Sequence, residues 1–178
     1  QNFTDNVINV AMPSTYRFLE KVIDEIGRMY QDAGVELPAF HVGGDEVPEG
    51  IWEGSSICRT FMKEHGLTKI RDLKDYFLGQ ILEMLDKHNI QAVGWQDIVM
   101  NPDNTVNEHF RHSKVLNYCW NTIPEQGGDE VPYKLANAGY PIILCNVGNF
   151  YLDMAYCYHV EEPGLRWGGY VRSEEHTS

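Results

Sequence analysis

Basic residues are scarce in this chain. Fourteen Lys and Arg stand against 26 Asp and Glu, which leaves a formal net charge of −12. Such a surface does not gather phosphates, and this excludes a nucleic-acid groove built on a basic patch. It also disfavours adhesion to an anionic membrane surface. A neutral or cationic small substrate suits it better. Long hydrophobic runs are lacking too: no apolar stretch approaches the roughly 20 residues of a membrane span. The four cysteines, Cys58, Cys119, Cys145 and Cys157, form no CxxC pair, so neither a zinc ribbon nor a dithiol redox motif is expected. Buried free thiols are the expected state. The seven histidines show no HxH or HExxH spacing, and there is no nucleotide-binding glycine loop, so no metal and no cofactor is expected. The opening residues, QNFTDNVINVAMPST, contain no basic n-region, no h-region and no initiator Met. They are expected not to be a signal peptide, and to start inside a longer protein or after processing.

What is present is an ordinary globular composition. The 178 residues are 43% hydrophobic and 22% charged, which suits one domain with a sizeable core. Phe18, Leu19, Val22, Ile23, Ile26, Met29 and Tyr30 recur at helical spacing. Ser14 can cap that helix, which runs to about Ala33 and stops at Gly34. After Pro38, AFHV reads as a short strand. Helical regions follow from near Ile57 to Gly66 and from about Thr68 to His88. IQAVGW is a strand ending in Trp95, and KVLNYCW is another ending in Trp120, with the polar loop QDIVMNPDNTVNEHF between them. A short helix is expected between Val131 and Ala138, then a fourth strand, YPIILCNV, and a long loop to the end.

Helix and strand mostly alternate, and the strands are short and almost continuously apolar, as in a parallel sheet buried on both faces. An α/β fold follows. The polar and aromatic residues with chemical character come just after strands: Asp45 and Glu46, Trp95, Trp120, then Tyr151 and Asp153. That placement belongs to a (β/α)8 TIM barrel, whose reacting groups collect at the C-terminal strand ends. A doubly wound dinucleotide sheet needs a glycine fingerprint after its first strand, and none is there. A whole barrel has eight strands in about 250 residues. The four strands here therefore predict a partial barrel, its central to late strands, over residues 1–171. From Arg172 the apolar pattern stops, and RSEEHTS, residues 172–178, is expected to be a non-native, adapter-derived tail.

The stretch FHVGGDEVPEGIW carries the sharpest chemical signal. On a regular strand the neighbours Asp45 and Glu46 would face opposite ways. Gly43 and Gly44 let the backbone leave strand geometry, so that both acids reach one cavity. Two carboxylates that share a cavity suit glycosidic cleavage: one protonates the leaving oxygen and the other stabilises developing positive charge.

HVGGDE followed by VP and a Trp resembles the signature of glycoside hydrolase family 20, the β-N-acetylhexosaminidases. The similarity continues in order through GWQD, NYCWN and NFYLDMAY to EEPGLRWGGYV, which resembles a later loop of bacterial members, and it covers nearly all of the chain before Arg172. The resemblance implies a (β/α)8 catalytic domain and hydrolysis of terminal β-linked N-acetylglucosamine or N-acetylgalactosamine, with retention assisted by the substrate's own 2-acetamido group. It makes Glu46 the general acid and then the general base, Asp45 the partner of the acetamido N–H, and Tyr151 the donor to the acetamido oxygen. Trp95 and Trp120 would wall the pocket, and Asp153 would bind a sugar hydroxyl. Both carboxylates are expected to turn toward the C-terminal mouth of the barrel, near Tyr151, Trp95 and Trp120.

The expected partner is a small oligosaccharide or glycan with a terminal N-acetylhexosamine, with no nucleic acid and no membrane span in the chain. An exported parent is also implied: periplasmic, secreted or cell-surface. The family's arginine after the first strand, and its Trp and Glu near the last, have no counterpart here, and a partial barrel exposes unpaired strand edges, so these 178 residues alone are expected to be poorly soluble or inactive. His41 is expected to make a structural hydrogen bond under the site. Asp97, Trp52 and Trp167 carry no assigned role. Two rivals remain open at this stage: another barrel glycosidase that uses two carboxylates directly, and a non-catalytic sugar-binding relative or inactive fragment.

Overall fold

The computed structural model of the chain describes residues 7–48 and 50–169. The chain divides into two compact units, Gln1–Gly94 and Trp95–Ser178.

In the first unit, helix α1 spans Pro13–Asp32. It starts one residue before the expected cap. Met12 is the N-cap and makes no side-chain bond, while Pro13 takes the first turn, where a missing N–H costs nothing. Ser14 is therefore inside the helix and does not cap it. Gly34, at φ 72°, turns the chain out of α1, and the Val35 N–H closes onto the Tyr30 carbonyl at 3.1 Å.

Strand β1 is Ala39–His41, α2 is Ser56–Glu64, α3 is Ile70–Lys87 and β2 is Gln91–Trp95. The Ser55 hydroxyl accepts the Cys58 N–H at 3.3 Å and caps α2. The Asp72 carboxylate caps α3 by accepting the N–H groups of Lys69 and Thr68, both at 2.9 Å, and these bonds hold its pKa below the usual value. Strands β1 and β2 run parallel, with Ala39 opposite Gln91, Phe40 opposite Ala92 and His41 opposite Val93. Val10, Ala11, Trp52, Cys58 and Leu73 form a buried cluster in this unit, and Val47 and Ile51 pack against it. The loop that follows β1 is thereby tied down just past Glu46.

In the second unit, a 3-10 turn, Gln96–Ile98, follows β2 directly. Strand β3 is Leu116–Cys119, α4 is Val131–Asn137, β4 is Ile142–Leu144 and α5 is Val147–Phe150. Strands β3 and β4 run parallel, with Asn117 opposite Ile142 and Cys119 opposite Leu144. The one-turn helix α5 is a departure from the expected loop. Val147 is fully buried with Ile123 and Met154, and Tyr151 packs on that cluster. α5 thus delivers Tyr151 from the end of β4.

The expected tail, residues 172–178, lies outside the described residues. Among the described residues no helix is long and apolar enough to cross a membrane.

Candidate active site

The loop after β1 departs sharply from strand geometry. Gly43 has φ 69°, Gly44 has φ 97° and Glu46 itself has φ 49°. Glycine takes these values freely, but a left-handed glutamate costs on the order of 1 kcal/mol or more and persists only where its surroundings hold it. Val47 supplies one such restraint by packing on the core cluster. A second lies upstream, where the Gly43 N–H donates to Nδ1 of His41 at 3.1 Å. That bond requires an unprotonated Nδ1. The His41 pKa is lowered by partial desolvation, and the nearby Asp45 carboxylate opposes the shift. Asp45 is half-buried and Glu46 is exposed. His41 therefore makes a local hydrogen bond that shapes the start of this loop.

The other expected site residues belong to the second unit. Trp95 ends β2 and Trp120 directly follows β3, and both are half-buried. Trp95 meets Tyr118 edge-on, with centroids 6.0 Å apart. Trp120 meets Trp167 at 6.1 Å, and Trp167 meets Tyr151 at 5.9 Å, both in T-shaped contact. Trp167 therefore joins two of the expected residues into one aromatic cluster. Asp153 is exposed, and its carbonyl accepts the Leu165 N–H at 2.6 Å. The loop strand holding Trp167 is tied there to the segment after Tyr151.

Gln96 and Asp97 supply the remaining geometry. The Gln96 side-chain oxygen accepts the backbone N–H groups of Trp120 and Asn121, at 3.0 and 3.2 Å. Asp97 Oδ2 accepts the Trp120 indole N–H at 2.9 Å. A turn at the end of one strand therefore fixes the residue that ends the next. Asn121 is held in turn. Its Oδ1 accepts the Ile123 N–H at 3.0 Å, and a Cβ on Gly128 would lie only 2.4 Å from that oxygen. Only glycine fits at 128.

The two loop tryptophans left without a role now separate. Trp52 is 7% exposed in the core cluster and donates its indole N–H to the Ile8 carbonyl at 3.1 Å, so it is packing. Trp167 is 46% exposed beside Trp120 and Tyr151. At the end of β3, burial pushes the Cys119 thiol up to about 12, with the Cys145 thiol adding to the shift. Among the described residues, no group of three or more His, Cys, Asp or Glu is placed to hold a metal ion.

Parallel β/α units, with two carboxylates in the loop after β1 and aromatics at or just past the ends of β2 and β3, define a partial (β/α)8 barrel. The match to known families then fixes which barrel it is. Residues 1–178 match the family described as "Glycosyl hydrolase family 20, catalytic domain", and the chain belongs to that family. A β-hexosaminidase of Vibrio furnissii is 32% identical over 170 residues, covering 95% of this chain and 25% of that protein. β-Hexosaminidase B of Pseudoalteromonas piscicida is 28% identical, covering 94% of this chain and 21% of that protein. The crystal structure of an inactive mutant of the GH20 exo-β-N-acetylglucosaminidase from Vibrio harveyi superposes with a TM-score of 0.77 at 30% identity. The match covers 96% of this chain and 24% of that one. The chain therefore spans about a quarter of the length of these relatives.

Proposed function

We infer that the parent protein is an exo-acting β-N-acetylhexosaminidase that removes terminal β-linked N-acetylglucosamine or N-acetylgalactosamine with retention. The observation that carries this is the Asp45–Glu46 pair. It follows β1 in a loop with φ above zero at Gly43, Gly44 and Glu46, within a family 20 catalytic domain. A non-glycine residue kept in the left-handed region is a recurrent mark of a functional loop.

The reading assigns unequal work to the two acids. The substrate's 2-acetamido oxygen attacks C1 and forms a cyclic oxazolinium. The C1–O glycosidic bond breaks, and its electron pair leaves on the aglycone oxygen, which takes the proton of the Glu46 carboxyl. Water then adds at C1 and gives a proton back to the Glu46 carboxylate, while the ring bond to the acetamido oxygen opens. Asp45 accepts the acetamido N–H and balances the positive charge that develops there. Tyr151 donates to the acetamido oxygen and keeps it close to C1. Positioning of an internal nucleophile lowers a barrier by up to about 7–11 kcal/mol in ideal cases. Trp95 and Trp120 present indole faces to the sugar's C–H surfaces and to the acetamido methyl, and Asp153 takes a ring hydroxyl. No cofactor enters these steps.

The test is hydrolysis of an aryl N-acetyl-β-glucosaminide by the full-length parent. Comparable turnover of the matching glucoside, which has no acetamido group, would instead support direct use of both carboxylates. An exported location, in the periplasm, outside the cell or at its surface, belongs to the same proposal. So does the inactivity of the 178 residues alone, since a partial barrel leaves strand edges unpaired.

A further inference from the structure

Trp120 is held by two adjacent residues through two different groups. Gln96, buried at 5% exposure, fixes its backbone, and Asp97 fixes its ring. An indole N–H can only donate, so the ring can rotate away from Asp97 only by leaving that proton unpaired or giving it to water. A carboxylate acceptor makes the bond stronger than a neutral one. The backbone bond is equally specific. One amide oxygen takes two consecutive N–H groups, and the amide's own burial keeps water from replacing it. Together they restrain both the backbone and the ring of Trp120. The ring is consequently held where it meets Trp167, which in turn meets Tyr151.

We propose that Gln96 and Asp97 are positioning residues that set the size of the N-acyl pocket, by locking Trp120 as a rigid wall. This rests on the hexosaminidase reading given above. Neither residue touches the reacting atoms. Both act through Trp120, so their loss loosens the wall and does not remove a reacting group. A tight wall holds the acetamido oxygen in its attack position and rejects longer acyl groups. A loose wall loses the first property and admits the second.

The experiment compares wild-type full-length enzyme with Asp97→Leu and Asp97→Asn on aryl glucosaminides bearing N-acetyl or N-propionyl groups. A misplacement of about 1 Å can cost about 100-fold in rate. Asp97→Leu should therefore lower kcat for the N-acetyl substrate by about 10- to 100-fold, with a smaller change in KM. Its preference for N-acetyl over N-propionyl should fall at least several-fold. Asp97→Asn keeps an oxygen acceptor and should recover most of both. The Trp120 indole N–H, followed by NMR, should exchange with solvent slowly in wild type and in Asp97→Asn, and fast in Asp97→Leu.

A purely structural Asp97 would lower both substrates equally and leave the acyl preference unchanged. That result, in an active wild type, overturns this proposal alone. Unaltered indole exchange in Asp97→Leu would overturn it as well. A wild type with no turnover of either substrate would instead remove the hexosaminidase reading, and this proposal with it.

Discussion

The backbone N–H of Gly43 donates to Nδ1 of His41 at 3.1 Å, across the start of the loop that carries Asp45 and Glu46. The bond exists only while the imidazole is neutral at that nitrogen. Desolvation favours the neutral form, and the Asp45 carboxylate works against it. An NMR titration should place the His41 midpoint below the ordinary value of 6.5. Asp45→Asn removes the opposing charge, so it should move the midpoint further down. Folded His41 binds a proton less readily than unfolded His41. Its contribution to stability is therefore complete above pH 6.5 and is lost as pH falls through the folded midpoint. A midpoint at or above 6.5 would contradict this account of the loop.

Cys119 behaves in the opposite sense. Burial keeps its thiol protonated up to about pH 12. In the native protein at pH 8 it should resist iodoacetamide, whereas exposed Cys157 should be alkylated first. Denaturation should make the two react alike. The folded state holds this proton more tightly than the unfolded chain, so stability should decline as pH rises from 9 toward about 12. Equal alkylation of Cys119 and Cys157 under native conditions would count against the burial described for β3.

Trp52 tests whether packing and recognition have been told apart. Trp52→Phe keeps most of the apolar contact in the core cluster but leaves the Ile8 carbonyl without its 3.1 Å donor. The expected loss of stability is about 1–3 kcal/mol, from an unpaired, partly buried acceptor. Denaturant unfolding reads it, and KM for the aryl glucosaminide should not move. A raised KM at unchanged stability would place Trp52 in an outer subsite instead.

Much of this arrangement was legible in the sequence, and the failures have physical reasons. The helical region expected from about Thr68 to His88 is α3, Ile70–Lys87, with Leu73, Ile81 and Leu85 buried. Helical spacing grouped Phe18 and Met29 on α1, yet they are 61% and 68% exposed. Periodicity reports which side chains share a face and not what covers it. Helix α5 escaped because four residues, Val147–Phe150, are too few to show a period. The Gly43–Gly44 pair announced a loosened backbone, but nothing local showed that Glu46 itself would take φ 49°. Asp97 was visible beside Trp95 in GWQD, whereas its bond to Trp120 spans 23 residues and crosses from one strand end to the next. No local pattern encodes a contact of that kind. The order of motifs along the chain, each after a strand, is what made the family legible before any contact was known.

The central claim is that Glu46 moves the proton to and from the glycosidic oxygen. The most direct measurement is kcat/KM, which reports the steps up to the first bond cleavage, for Glu46→Gln in the full-length enzyme on two N-acetyl-β-glucosaminides that differ only in the leaving group. A methylumbelliferyl or alkyl group needs a proton to depart, and a dinitrophenyl group does not. General acid–base catalysis contributes roughly 10²- to 10⁴-fold, so the first bond-breaking step should slow by about that factor for the poor leaving group and far less for dinitrophenyl. Equal, small losses for both substrates, or turnover unchanged from wild type, would contradict the account.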